Sequence, residues 1–236
     1  MGDTTSRVAL LADLHGNLVA LDAVLAEVDR LDVGRVVIAG DVAWGVQPAE
    51  TVARVMALAG RVTVIQGNAD REVADPGTVE GDAFLRDSTA WCADQLTPDQ
   101  CRWLGGLPLT ATIRVDGMGG VLICHGSPRS DVEGMRPDTD PALVQTWLAN
   151  TREPVVVCGH THVQFERTVG QHRIVNPGSV GLHYGASGAQ WALLGPDVEF
   201  RTTAYDNERA VEFARHSGIP GAEDFARFLL DPTATT

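Results

Sequence analysis

Three times within about the first 70 residues, a short apolar run ends in a turn bearing Gly or Asp and gives way to helical spacing. Val8 to Ala12 leads into Asp13-Leu14-His15-Gly16-Asn17, after which Leu18, Leu21, Val24, Leu25 and Val28 recur on one helical face. Arg35 to Gly40 leads into Asp41 and then a helix opening near Pro48, Ala49 and Glu50, where a first-turn proline and acid are favoured. Val62 to Gly67 leads into Asn68 and Asp70. Strands apolar on both sides need cover on both faces, so strands alternating with helices predict an α/β fold built on a parallel sheet.

The rhythm then changes. From Pro76 to about Leu107 there is no strand pattern, and Trp91 to Leu104 reads as helix, with Thr97-Pro98-Asp99 opening a second short one. This segment is expected to be a small helical insertion over one face. Strand patterns resume at Thr110–Val115, Val121–Cys124, Val155–Cys158, Arg173–Asn176, Gln190–Leu194 and Val198–Tyr205. The close spacing of the last three predicts antiparallel pairing among them. An amphipathic helix near Asn207 to His216 and a polar tail ending in TATT close the sequence, so residues 206–236 read as C-terminal helices and tail. With 236 residues and no internal linker, 1–236 is expected to form one domain.

Charge and cysteines set the compartment and the partners. The formal net charge of −13 lacks the basic footprint that long nucleic acid or an anionic membrane requires. No apolar run approaches the roughly 20 residues of a membrane span, and the acidic, polar start lacks a secretory signal pattern. Cys92, Cys101, Cys124 and Cys158 form no CxxC pair, which fits a reducing cytoplasm. Taken alone, the acidic charge also argues against phosphate chemistry.

The strand ends argue the other way. Asp13 and His15, Asp41, Asn68, His125, and His160 with His162 all follow apolar runs. Ligands of open α/β sheets gather beyond the carboxyl ends of the strands, so these side chains are expected to converge. Two carboxylates, one amide and four imidazoles without a thiolate suit Mn, Fe, Co, Ni or Zn. Seven donors exceed the needs of one ion. A carboxylate such as Asp41 on a central strand can bridge two ions about 3.5–4 Å apart.

The order DxH, GD, GN, a lone His and GHxH resembles the calcineurin-like metallophosphoesterase superfamily, from about Val8 to Tyr205, and Asn176 to Gly181 resembles its bacterial single-domain members. The resemblance implies a mixed β-sheet sandwich flanked by helices. It further implies that Asp13, His15 and His162 hold a first divalent metal, that Asn68, His125 and His160 hold a second, and that Asp41 bridges them. Such a pair, most simply manganese, turns a shared water into hydroxide for in-line attack on phosphorus. It also adds about +4 to the cleft, which limits an acidic protein to small phosphate esters rather than excluding phosphate.

Two departures refine this expectation. The superfamily usually places a phosphate-contacting or proton-donating His after GN, and here Ala69 stands there. Losing a general acid worth roughly 10²–10⁴-fold favours leaving groups that depart unaided, and members lacking this His are often diester hydrolases. The expected activity is therefore phosphodiester hydrolysis, with phosphomonoester hydrolysis as the alternative. A non-catalytic protein-binding scaffold, as in the retromer subunit of similar fold, is the rival from another class. Asp70 is left to orient Asn68, a metal or a water. His183, Arg71, Arg129 and Asn176 are candidate phosphate or catalytic contacts. Gly40-Asp41-Val42-Ala43-Trp44-Gly45 also lacks the arginine clamp of the Ser/Thr protein phosphatases and bis-nucleosyl tetraphosphatases.

Single segments have plainer readings. DLHGN alone is a helix cap, GHTH alone a turn, and NPGS either a tight turn or a phosphate loop. Trp91, Trp103 and Phe84 read as packing for the insertion rather than as base-stacking groups. His172, His183 and His216 read as surface histidines.

Overall fold

The computed structural model describes residues 6–184 and 188–231; the TATT tail and the first five residues lie outside them. Among the described residues, ten strands form two five-stranded sheets. The first contains β1 (Val8–Leu11), β2 (Arg35–Ile38), β3 (Val62–Val64), β9 (Ala189–Leu194) and β10 (Val198–Thr203), in the order β10-β9-β1-β2-β3. The second contains β4 (Thr110–Val115), β5 (Gly119–Cys124), β6 (Val155–Val157), β7 (Phe165–Val169) and β8 (His172–Asn176), in the order β4-β5-β6-β8-β7. Eight α-helices accompany them among the described residues: α1 (Leu18–Arg30), α2 (Pro48–Met56), α3 (Asn68–Ala74), α4 (Ala83–Gln95), α5 (Pro98–Gly105), α6 (Pro141–Trp147), α7 (Asn207–Ser217) and α8 (Ala222–Leu230).

The wholly apolar strands are explained by three stacked layers of core. Along β1, Val8 and Leu10 face the second sheet, while Ala9 and Leu11 face the helices. Val37 and Ala39 likewise meet Val121, Ile123, Val155 and Val157 between the sheets. Beyond the second sheet, Cys124, Val156 and Cys158 pack with Val144 and Leu148 of the α6 region. Because side chains alternate along a strand, each central strand is buried on both faces.

Pairing differs from the expectation of one parallel sheet followed by three antiparallel strands. The parallel set β1-β2-β3 is joined by antiparallel β9 and β10, whereas β8 lies in the other sheet, parallel to β6 and antiparallel to β7. The helix expected from Trp91 begins earlier, at Ala83, and, as expected, Thr97 opens a second short helix, capping α5 through a reciprocal pair with Gln100. Trp91 and Trp103 pack against the helix-side core as expected. Two histidines expected at the surface are buried instead. His172 donates to the Glu153 carbonyl, and His183 lies against Tyr205. No helix among the described residues is long and apolar enough to cross a membrane.

Candidate metal centre

Both sheets end at one place. Asp13 and His15 follow β1, Asp41 follows β2 and Asn68 opens α3 after β3, all from the first sheet. His125 follows β5, and His160 and His162 follow β6, all from the second. Asp13, His15 and His162 form one cluster and Asp41, His125 and His160 another, with candidate ligand atoms in each within 4.8 Å of one another. Each cluster therefore draws on both sheets. Asn68 joins the second, its Oδ1 standing 3.2 Å from His125 Nε2.

The backbone there is unusual. Asp13, His15, Asp41, His160 and His162 have φ between 45° and 65°. Asp and His tolerate this left-handed region better than most residues, and such conformations concentrate where a chain must turn its side chains inward at a site. Two glycines make the turns fit. A Cβ at Gly67 would lie 2.1 Å from Asp41 Oδ1, and at Gly40, with φ at +91°, it would meet His125 Nδ1 at 2.6 Å.

Hydrogen bonds fix the imidazoles. Nδ1 of His15 faces the Trp44 carbonyl at 3.1 Å, Nδ1 of His162 the Leu182 carbonyl at 2.8 Å, and Nδ1 of His125 the Ala39 carbonyl at 2.7 Å. A carbonyl only accepts, so each Nδ1 carries its proton and each ring turns its Nε2 inward, the atom that a cation would take once the ring is neutral. His125 Nε2 lies 3.3 Å from Asp41 Oδ2, and His162 Nε2 lies 3.4 Å from Asp13 Oδ1. Asp41 Oδ2 also stands 3.7 Å from His15 Nε2, between the two clusters. This donor set, inward imidazole Nε2 atoms beside buried carboxylates with no thiolate, fits divalent cations of the transition series.

Electrostatics follow from burial and crowding. Burial, then the neighbouring His162, push His15 down to about 4. For His125, burial opposes protonation but Asp41 outweighs it, lifting the ring to about 10. Burial alone would raise Asp41, yet His125 and His15 hold it far below the ordinary carboxylate range. Asp70 is fully buried, and burial followed by the charge of Asp41 raises it to about 7. Its carboxylate accepts from the amides of Val42, Ala43 and Gly67 at 2.7, 3.1 and 3.1 Å, so it shapes the turns that carry Asp41 and Asn68.

The remaining sequence candidates divide. Arg71 lines the cleft beside Ala69, with its Nε 2.7 Å from Asp131 and a second contact to Glu72. Arg129 is exposed, pairs with Glu133 and lies outside the cleft lining. Asn176 is completely buried and spends its amide on Gly159 O and Thr161 Oγ1, so it braces the GHTH turn instead of facing a substrate. His183 is likewise interior, against Tyr205. The cleft, about 580 Å³, has Trp44 on its wall, and Arg71, Glu72, Glu80 and Asp131 are also part of its lining. Trp44 was detectable in the sequence, standing three residues after Asp41 in the same turn, and it packs on Phe225 of α8 with ring centres 5.1 Å apart.

A family model described as the calcineurin-like phosphoesterase superfamily domain matches residues 7–197. An uncharacterized protein of Methanocaldococcus jannaschii is 23% identical over 238 residues, spanning 91% of this chain and 94% of that protein. Among solved structures, a metallophosphoesterase from Sphaerobacter thermophilus aligns with a TM-score of 0.76 at 26% identity, covering 98% of this chain and 100% of that one. A hypothetical protein from Pyrococcus horikoshii aligns with a TM-score of 0.82 at 21% identity over 94% of this chain and 97% of that one, a likeness of fold.

Proposed function

The chain belongs to the calcineurin-like phosphoesterase superfamily, and from that premise we propose that it is a two-metal hydrolase of small phosphate esters, with phosphodiesters preferred. The observation that carries this reading is the meeting of six Asp and His side chains from two sheets, with three imidazole Nε2 atoms turned inward. Asp13, His15 and His162 would hold one divalent cation, Asn68, His125 and His160 the other, and Asp41 both, with manganese the simplest choice. Bound there, the cations supply Lewis acidity toward water and toward the phosphoryl oxygens.

The chain's own groups do the positioning. Three Nδ1–H donors fix the ring tautomers, and Asp70 holds the turns of the Asp41 and Asn68 ligands. Arg71, the cation of the cleft lining among the described residues, is placed to meet a phosphoryl oxygen with the guanidinium edges that Asp131 and Glu72 leave open. Ala69 supports the diester preference, since its methyl lines the cleft where a proton donor would stand. The acidic cleft favours small esters over long polyanions.

The test uses protein incubated with manganese, assayed on bis-p-nitrophenyl phosphate and p-nitrophenyl phosphate, with Asp41→Ala as the inactive control. Diester hydrolysis abolished by Asp41→Ala is expected. Turnover of the monoester alone would make the protein a monoesterase. No turnover of either ester, with less than one metal bound per chain, would make it a binding scaffold.

A further inference from the structure

His160 and His162 separate two recesses. One is the acidic cleft, where Asp41, Glu72, Glu80 and Asp131 outnumber Arg71. The other, about 340 Å³, is lined by Arg136, His160, Thr161, His162, Val163 and Tyr184. Its chemistry is the reverse. The Arg136 guanidinium is exposed, and no ion pair or hydrogen bond engages it among the described residues. Tyr184 is 51% exposed, with its ring 5.4 Å from His162 and 5.2 Å from Phe228 of α8.

The loop that carries Arg136 and the ring of Tyr184 are both supported. The Arg167 guanidinium donates to the carbonyls of Arg136, Pro137 and Thr139 at 3.0, 2.8 and 2.9 Å, clamping the loop that presents Arg136. Thr161 Oγ1, inside the GHTH turn, donates to the Met135 carbonyl at 3.2 Å and ties that loop to the candidate ligands. A clamped loop bearing an open cation and a half-exposed aromatic ring therefore stand beside two metal-ligand candidates.

Resting on the phosphoester reading above, we propose that Arg136 and Tyr184 form a specificity subsite for an ester arm that combines a flat ring with a second anionic group, the chemistry of a nucleoside phosphate. The ring stacks on Tyr184, and the second anion pairs with Arg136 in charge-assisted hydrogen bonds. Repulsion in the acidic cleft keeps that anion from the opposite side, so a diester enters in one direction, with its uncharged or cationic arm toward Glu72 and Glu80.

The test is calorimetric binding of adenosine 3′,5′-bisphosphate and adenosine 5′-monophosphate to the manganese-incubated protein. The bisphosphate is expected to bind about tenfold more tightly than the monophosphate, a difference that Arg136→Gln removes. Tyr184→Ala weakens both by about fivefold or more, and Tyr184→Phe restores them, because the ring is what stacks. Arg114→Gln, at an exposed arginine on β4, changes neither. Equal affinity for the two ligands in the wild type, no binding of either, or a ratio unchanged by Arg136→Gln overturns the subsite. The two readings fail separately: binding without hydrolysis of any ester removes the enzyme and leaves the subsite, whereas hydrolysis without bisphosphate preference removes the subsite alone.

Discussion

The Nε2 atoms of His15 and His162 stand 3.0 Å apart, while Nδ1 of each ring faces a backbone carbonyl. When both rings are neutral, their Nε2 lone pairs are aimed at one place, and a divalent cation held by both would turn that crowding into coordination. Manganese or zinc at about 100 times its dissociation constant should then stabilise the fold by about 2.7 kcal/mol, raising the thermal midpoint by roughly 5–10 °C. His15→Ala and His162→Ala should each lose most of that rise. A wild-type midpoint indifferent to divalent cations would contradict the metal centre.

Ala69 sits against the candidate ligands, its amide donating to Asp41 Oδ1 at 2.9 Å and its side chain on the cleft wall. Ala69→His should speed hydrolysis of esters with alkyl leaving groups by about 10²-fold, and that of aryl esters far less. Steady-state rates on a matched alkyl and aryl series decide it. Equal gains on both would show that the position does not govern protonation of the leaving group.

Gly67 leaves no room for a methyl group, because the added Cβ would lie 2.1 Å from Asp41 Oδ1. Gly67→Ala should displace that carboxylate, cost about 1–3 kcal/mol in urea unfolding and reduce metal content per chain. Gly34→Ala, with nothing within 4 Å of the new methyl, is the control. Full metal content in the Gly67 variant would refute the packing argument.

Asp70 accepts three buried amides. Asp70→Asn puts an NH₂ group against at least one of those donors, and Asp70→Ala leaves all three without an acceptor. Expected losses are about 1–3 kcal/mol for Asn and more for Ala. The Ala variant should also lower metal affinity, since the turns carrying Asp41 and Asn68 loosen. Denaturant unfolding with and without manganese separates these effects, and wild-type stability in both variants would overturn the assignment.

Three of the four cysteines are buried, and burial raises Cys92 and Cys158 to about 12 and Cys124 well above the ordinary thiol range. Cys101 is only partly buried. Native protein should therefore react with one equivalent of maleimide, at Cys101, and unfolded protein with four. Peptide mapping of the labelled site checks this; rapid native labelling of Cys124 or Cys158 would show that the sheet faces open readily.

The ends of strands are legible in the sequence because an apolar run stopped by Gly or Asp announces itself locally. That is how Asp13, Asp41, Asn68 and His125 can be named without coordinates. Sheet membership is not local: β9 follows β8 closely in the chain, yet β9 pairs with β1 and β10 while β8 pairs with β6 and β7. The short alternating run Phe165–Val169 supplies β7, whose partner alone makes it a strand. His172 and His183 sit among polar and glycine-rich neighbours that look exposed, and their cover comes from Glu153 and Tyr205, distant in sequence. Arg136 and Tyr184 carry no spacing signal at all, since the recess between them is made by the Arg167 clamp and by α8.

Each ligand cluster takes members from both sheets, and the paired histidines His15 and His162 are 147 residues apart in the chain. No local segment can preassemble such a centre, because closing so long a loop is a late and slow event in folding. Metal capture should then act as a latch on the finished sandwich rather than a seed for it. Nascent or half-folded chains would be unable to sequester cations, and acquisition of the ion would certify that the two sheets have found their register.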